Sequence, residues 1–196
     1  YNTMPRTREF DLQEALDRAM TVFWNKGYEA TSIQNLVDHM GVQRGSLYAA
    51  FGDKHNLFVE ALRHYAQTVM TRHLVLLQDP NAGLGCIYQF FDELVEVSIN
   101  DSDAKGCFLT NTVAELAASD EVVAAELKES IGAVEQALVS VLTSAQERGE
   151  LAAERDPAQL AQYLVSSING LRVMAKLNRD PKQLDAIKET LLSVLK

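Results

Sequence analysis

The chain has 196 residues, of which 47% are hydrophobic and 23% charged, and its formal net charge is −9. These proportions suit a globular protein with a buried core and exclude a disordered or low-complexity chain. Two cysteines are too few for a disulfide framework, and neither a signal peptide nor an apolar run long enough to span a bilayer is visible. We therefore expect a cytoplasmic protein with no membrane partner.

The acidic residues are unevenly distributed. Residues 1–55 carry six Lys and Arg against seven Asp and Glu, a net charge of −1, which leaves −8 for the rest of the chain. An acidic body suppresses non-specific attraction to DNA, so any contact with phosphates depends on a few well-placed donors. The charge lowers the expectation of DNA binding without excluding it.

The residue pattern predicts an all-α fold of about nine helices. Ala, Leu, Glu and Gln are abundant, and no stretch alternates convincingly as a strand would. The first helix is predicted over 11–27, ending at a glycine. A second helix begins at Thr31, with Gln34 at the capping-box position, and ends at Gly41. A third short helix follows over 42–51.

The remaining helices are longer. Pro80 and Asn81 are expected to break the chain after the fourth helix, and the Asp-Pro pairs at 156–157 and 180–181 are strong helix starts. The predicted helices are 53–77, 87–99, 107–117, 120–148, 157–177 and 181–196, with a polar loop over 100–106.

Two short helices separated by a glycine turn make a helix-turn-helix pattern. The segment from Gly41 to Phe58, GVQRGSLYAAFGDKHNLF, resembles the recognition-helix signature of TetR-family repressors. Matching upstream positions are Phe23, Gly27, Tyr28, Thr31, Ser32, Ile33 and Leu36. The resemblance covers about fifty residues with many fixed spacings, and the Gly106-Cys107-Phe108-Leu109 segment is also similar to that of some members.

This resemblance implies a homodimeric, ligand-responsive repressor that binds a palindromic double-stranded operator and is released by a small molecule. Residues 1–52 would form the DNA-binding domain, and residues 53–196 the domain for ligand binding and dimerisation. No cofactor is expected. We also expect no enzymatic activity, because the chain contains no Gly-rich phosphate loop, nucleophile elbow or metal-binding helix motif.

Residues at the start of the third helix are the expected base readers. Arg44 can bond bidentately to guanine, and the amide of Gln43 matches adenine. Gly45 and Ser46 lack bulk and would allow close approach to the groove.

Four further side chains are expected to contact DNA phosphates. The hydroxyls of Ser46, Tyr48 and Thr31 suit this role, and Thr31 is expected at a helix start, where free N–H groups attract anions. The family resemblance adds Lys54 as a backbone-contacting lysine.

The body is expected to supply a dimer face and a ligand pocket. Two stripes on the last two helices predict a four-helix dimer interface, although they could instead close a monomeric core: Leu160, Leu164, Ser167, Leu171, Met174, Leu184, Ile187 and Leu191. The expected pocket residues combine aromatic and polar groups, although ordinary core packing is the favoured alternative for any single one of them: Tyr65, Phe90, Phe91, Cys107, Phe108 and Asn111.

Two other hypotheses stay open. The chain could be a helical protein-interaction module that has lost DNA binding. It could also be a redox- or metal-responsive regulator, with Cys107 as a reactive thiol or with some of its four histidines as metal ligands. The histidines do not show ligand spacing, since His64 and His73 fall on opposite faces of one helix.

Overall fold

The computed structural model describes residues 11–79 and 82–196, and this part of the chain contains helices and no strands. The helix break predicted at Pro80 and Asn81 lies outside the described residues. The α-helices are α1 Leu12–Lys26, α2 Ile33–Met40, α3 Arg44–Phe51, α4 Lys54–Tyr65, α5 Thr71–Leu74, α6 Leu84–Ile99, α7 Phe108–Leu116, α8 Glu121–Glu147, α9 Pro157–Leu177 and α10 Pro181–Leu192.

A π-helical segment, Ala66–Met70, joins α4 directly to α5, and short 3₁₀ turns follow at Val75–Gln78 and Ser193–Leu195. Counted with α4 and α5 as one interrupted helix, the described residues form nine helices, which confirms the predicted all-α class. The interruption itself was not predicted, because the apolar pattern continues through it.

The chain divides into two compact units, the first ending at His64 and the second starting at Tyr65. The predicted boundary, at residue 52, left α4 entirely in the body. The first unit extends further because α4 buries Leu57 and Phe58 completely, with the Phe58 ring packed edge-to-face on Phe23 at 4.9 Å.

The turn between α2 and α3 follows from its glycine. Gly41 has a φ of 68°, in the left-handed region that glycine adopts without strain, and its N–H donates to the carbonyl of Val37. This cap ends α2 and lets the chain turn into α3. Leu36 on α2 and Leu47 on α3 are fully buried and fix both short helices in the core of the unit.

Helix α2 begins one residue later than predicted. Its N-cap is Ser32 rather than Thr31, and the reciprocal partner is Asn35 rather than Gln34. The hydroxyl of Ser32 accepts from the N–H of Asn35 at 3.1 Å, and the amide oxygen of Asn35 accepts from the N–H of Ser32 at 3.2 Å.

The second unit is organised around α8 and α9, which pack along each other, with α6 and α10 completing the core. Its largest fully buried residues include Phe91, Leu138, Leu142 and Leu164. The two Asp-Pro starts are as predicted, since the side chains of Asp156 and Asp180 cap α9 and α10.

The predicted dimer face needs correction. Five of its eight residues are buried inside a single chain and therefore cannot meet a partner: Leu160, Leu164, Leu171, Leu184 and Leu191. These leucines form the core that joins α9 and α10 to α6 and α8. Ser167 and Ile187 are half-buried, and only Met174, at 42% exposure, stays open.

Candidate nucleic-acid interface

The first turn of α3 presents an exposed polar surface. Gln43, Arg44, Gly45 and Tyr48 are exposed and Ser46 is half-buried, while Leu47 is fully buried beneath them. Burial of Leu47 fixes the rotation of the helix about its axis, so the predicted base-reading residues share the outward face. The structure thus brings together five of the seven predicted DNA-contacting residues.

Gly45 has no internal reason to be a glycine. Apart from its chain neighbours and the backbone of its own helix, no atom of the described residues lies within 4 Å of a Cβ placed on it. Glycine near the start of a helix gives up helix propensity, which alanine would restore. The lack of a side chain therefore leaves room for something outside this unit.

The predicted phosphate role of Thr31 is corrected by its surroundings. Its side chain is only 1% exposed, and its hydroxyl donates to the carbonyl of Gly27 at 2.5 Å. The hydroxyl thus holds the turn between α1 and α2 and does not face solvent. The exposed residue at this helix start is Ser32, which matches the family pattern but received no predicted role.

Lys54 also has an internal role that the sequence did not reveal. Its ammonium donates to the carbonyls of Tyr28 and Thr31, both at 3.0 Å, and lies 4.1 Å from the centroid of the Tyr28 ring. The three contacts pin the α1–α2 turn to the start of α4. An ammonium has three N–H donors, so one is left for an outside acceptor.

Tyr28 is a second residue whose structural role was missed. Its ring also packs against Phe23, His55 and Phe58 at centroid distances of 6.3, 6.2 and 4.9 Å. An aromatic residue directly after a helix-ending glycine was the available signal.

At the end of the first unit, His64 is bonded to α1. Its Nε2 lies 2.6 Å from Oδ1 of Asp17, and the imidazole is 6% exposed. This contact and the hydrogen bonds of Lys54 attach the two ends of α4 to the rest of the first unit, which supports α3.

In the second unit, four of the six predicted ligand residues lie near one another around the start of α7. The Tyr65 hydroxyl donates to the sulfur of Cys107 at 3.7 Å, and its ring meets Phe108 edge-to-face at 5.7 Å. Burial raises the pKa of Tyr65 well above its usual value, and Cys107 adds to the rise. The Asn111 amide donates to the carbonyl of Lys105 at 2.7 Å, which ties α7 to the preceding loop.

The other two, Phe90 and Phe91, belong to the main core. They are 5% and 0% exposed, stack edge-to-face on each other, and pack with the leucines of α8 and α9. The structure therefore divides the predicted ligand residues into a polar-lined group and a pair of core residues.

Within residues 11–79 and 82–196, no three His, Cys, Asp or Glu side chains are grouped so that they could hold a metal ion. No described helix is long and apolar enough to cross a membrane.

An exposed helix start after a glycine turn, packed on the other helices of its unit, is the arrangement of a helix-turn-helix DNA-binding domain. The chain matches two family models: "Bacterial regulatory proteins, tetR family" over residues 15–61, and "Tetracyclin repressor-like, C-terminal domain" over residues 83–191. The chain belongs to the TetR family of bacterial regulatory proteins. Membership in a family of regulators confirms the prediction of a protein that is not an enzyme.

Similar proteins match along almost the whole chain. An uncharacterised HTH-type transcriptional regulator of Bacillus subtilis (strain 168), YezE, is 34% identical over 98% of this chain and 100% of its own length. The HTH-type transcriptional repressor ComR of Escherichia coli (strain K12) is 30% identical, covering 95% of this chain and 90% of ComR. Among solved structures, a cysteine mutant of the TetR-family regulator CifR complexed with 26-bp operator DNA aligns with a TM-score of 0.86 at 31% identity, covering 97% and 100% of the two chains.

Replacing Lys54 by Met should destabilise the first unit by about 1.5–3 kcal/mol, since two hydrogen bonds from a charged donor are lost. Lys26→Met is the control, because Lys26 is exposed at the end of α1 and its loss should change stability by no more than about 0.5 kcal/mol. Chemical unfolding of the two variants and the parent measures both effects. Equal stability of the two variants would contradict a stabilising role for the contacts of Lys54.

Proposed function

We propose that the protein is a transcriptional repressor that binds operator DNA as a homodimer, through α3 in the major groove, and is released by a small molecule. The observation that carries the proposal is the exposed first turn of α3, held in place by buried Leu47. ComR is named as a repressor, and the CifR mutant structure contains operator DNA. Such a function places the protein in the cytoplasm, where operator DNA is found.

Base reading is assigned to two side chains. Arg44 is exposed and forms no ion pair within the described residues, so its guanidinium is available to the O6 and N7 atoms of a guanine. Gln43 is the adjacent residue, and its amide is assigned to bind an adenine. Gly45, with open space where a Cβ would lie, allows the helix to sit deep in the groove.

Phosphate contacts are assigned to the edges of the same surface. Tyr48, at 42% exposure, and Ser46 present hydroxyls, and Lys54 has its third ammonium donor. At the start of α2, the first backbone N–H groups, those of Ile33 and Gln34, replace the Thr31 hydroxyl as phosphate donors. Exposed Ser32 marks this position.

Arg44→Ala should weaken operator binding by about 1–3 kcal/mol for each half-site, or roughly 5- to 150-fold.

Gly45→Ala should also weaken operator binding, since its methyl group would meet the groove, while protein stability stays level or rises by up to about 1 kcal/mol. Fluorescence anisotropy on a selected operator, with thermal unfolding in parallel, measures both effects.

The matched control for Gly45 is Gly85. It is also the second residue of its helix, is exposed, and would have no protein atom within 4 Å of an added Cβ. Gly85→Ala should leave operator affinity unchanged. If Gly45→Ala binds the operator as tightly as Gly85→Ala does, α3 does not enter the groove at this point.

The homodimer is assigned to the outward face of α9, the face its inward leucines leave open. Uncharged exposed residues recur on it at alternating spacings of four and three: Gln159, Tyr163, Ser166, Gly170, Val173 and Leu177. This is the spacing of a helix seam, and Leu177 is 81% exposed. On α10 and just after it, Ala186, Thr190 and Ser193 extend the uncharged surface. Two copies related by a two-fold axis would bury it as a four-helix bundle.

Val173→Glu should convert the dimer to a monomer, because the two-fold axis places the buried carboxylate in the interface twice. Sedimentation equilibrium measures the mass of the full-length variant. Val122→Glu is the control, since Val122 is 52% exposed on α8, outside the proposed face, and its variant should remain dimeric. A dimeric Val173→Glu protein would contradict this choice of interface.

Release by a small molecule is assigned to the group around Tyr65, Cys107 and Phe108, where buried aromatic rings meet hydroxyl and thiol groups. Ligand binding would favour a dimer in which the two α3 helices no longer match successive major grooves, about 34 Å apart.

A second trigger, covalent modification of Cys107, is favoured by one observation. Cys107 is half-buried and its sulfur accepts from the buried Tyr65 hydroxyl, so a group added to the sulfur would displace that ring. N-ethylmaleimide should lower the operator affinity of the parent and of Cys86→Ser at least tenfold, but not that of Cys107→Ser. Cys86 is the matched control because it is also a half-buried free thiol. Equal loss in both serine variants would reject this trigger.

A further inference from the structure

The second unit contains a buried positive charge to which the described residues offer no acidic partner. The Arg172 side chain on α9 is only 6% exposed. It donates from one terminal nitrogen to the hydroxyl of Ser98 at 2.9 Å and from the other to the carbonyl of Gly106 at 2.7 Å. Both acceptors are neutral, and none of the ion pairs in the described part of the chain involves this guanidinium.

This arrangement of the described residues leaves the buried charge of Arg172 without a compensating charge, which is energetically unfavourable. A buried charge without a counter-charge costs several kcal/mol, and proteins normally pair it with a carboxylate. The two hydrogen bonds use two of the five N–H donors of the guanidinium. A planar group with donors to spare matches the two oxygens of a carboxylate bidentately.

The residues next to this charge are apolar and aromatic. The chain continues from Gly106 into Cys107 and Phe108, which contact the hydroxyl and the ring of Tyr65. The segment 106–108 therefore contacts a guanidinium through Gly106 and a phenol through Cys107 and Phe108. The charge also acts on two side chains nearby: after burial, it is the next cause of the lowered pKa of His73, and it opposes the rise in the pKa of Tyr65.

We propose that Arg172 is the anion-binding residue of the effector site, and that the effector is an organic carboxylate whose apolar part lies against Tyr65 and Phe108. This inference rests on the proposed function, since it names the chemical class of the small molecule that releases the repressor. The described residues place no negative charge beside Arg172, and the bound carboxylate would supply it. Binding of the carboxylate would alter the hydrogen bond from Arg172 to Gly106, through which α9 contacts the loop before α7.

The alternative is that Arg172 only fastens this loop. Arg179, two residues beyond the end of α9, offers a matched comparison, since it donates to the carbonyl of Asp101. The Asp101 carboxylate in turn accepts from the N–H of Gly106 at 2.7 Å. Both arginines thus hold the loop over 100–106, but only Arg172 combines deep burial with neutral partners.

The test uses the purified full-length chain with three probes of increasing apolar size, sodium acetate, hexanoate and benzoate, each compared with its neutral amide. Sodium chloride at equal ionic strength controls for inorganic anions. At least one carboxylate should raise the Tm by about 3–6 °C at ten times its Kd, with amides and chloride giving no comparable shift. Titration calorimetry supplies the Kd.

Arg172→Gln should abolish carboxylate binding, and Arg179→Gln should retain it within about twofold of the parent. Because Arg172→Gln itself could unfold the loop, Arg172→Lys is the second variant. It keeps the charge but loses the bidentate geometry, so carboxylate binding should persist with a Kd raised about tenfold.

Three results would overturn the site: no carboxylate binding more tightly than its amide, equal stabilisation by chloride, or equal loss of binding in Arg172→Gln and Arg179→Gln. The operator assay is run separately with no carboxylate present. Failure there would reject the repressor function while leaving the calorimetric result on Arg172 intact. Carboxylate binding that leaves operator affinity unchanged would reject the effector role.

Discussion

Burial of the inward face of α9 is the constraint on which the second unit depends. Leu160, Leu164 and Leu171 are buried by contacts within one chain, so this face of α9 is occupied by the chain's own core. Two consequences follow from this packing. The outward face of α9 is left as the surface available to a second copy, and the C-terminal end of α9, with the residue Arg179 beyond it, supports the loop that precedes α7.

The three-helix head was predictable because its signals are local. A glycine after an apolar stripe ends a helix wherever it occurs, and Gly41 and Gly27 stand at the expected positions. Arg44 is exposed as predicted because the burial of Leu47, within the same helical turn, determines which way it faces. Prediction within this region needed only residues close in the sequence.

The misassigned residues all depend on contacts that the local pattern does not reveal. Thr31 and Ser32 are both good capping residues, and the choice between them was made by the buried bond from Thr31 to Gly27. The partners of Arg172 lie 74 and 66 residues away, so nothing near it in the sequence shows that its charge is enclosed. Both faces of α9 are rich in uncharged residues, so the sequence does not show which face is buried. Only the packed core of the structure shows it.

The π-helical segment Ala66–Met70 has a consequence for how this chain tolerates change in length. A π turn holds one residue more than an α turn, and each residue of an α-helix adds about 100° of rotation. Deleting one residue from this segment would therefore restore a regular α turn and leave α5, including buried Leu74, close to its present phase relative to Tyr65. This connection therefore tolerates the loss of one residue better than the gain of one, since an inserted residue would rotate α5 by about 100°.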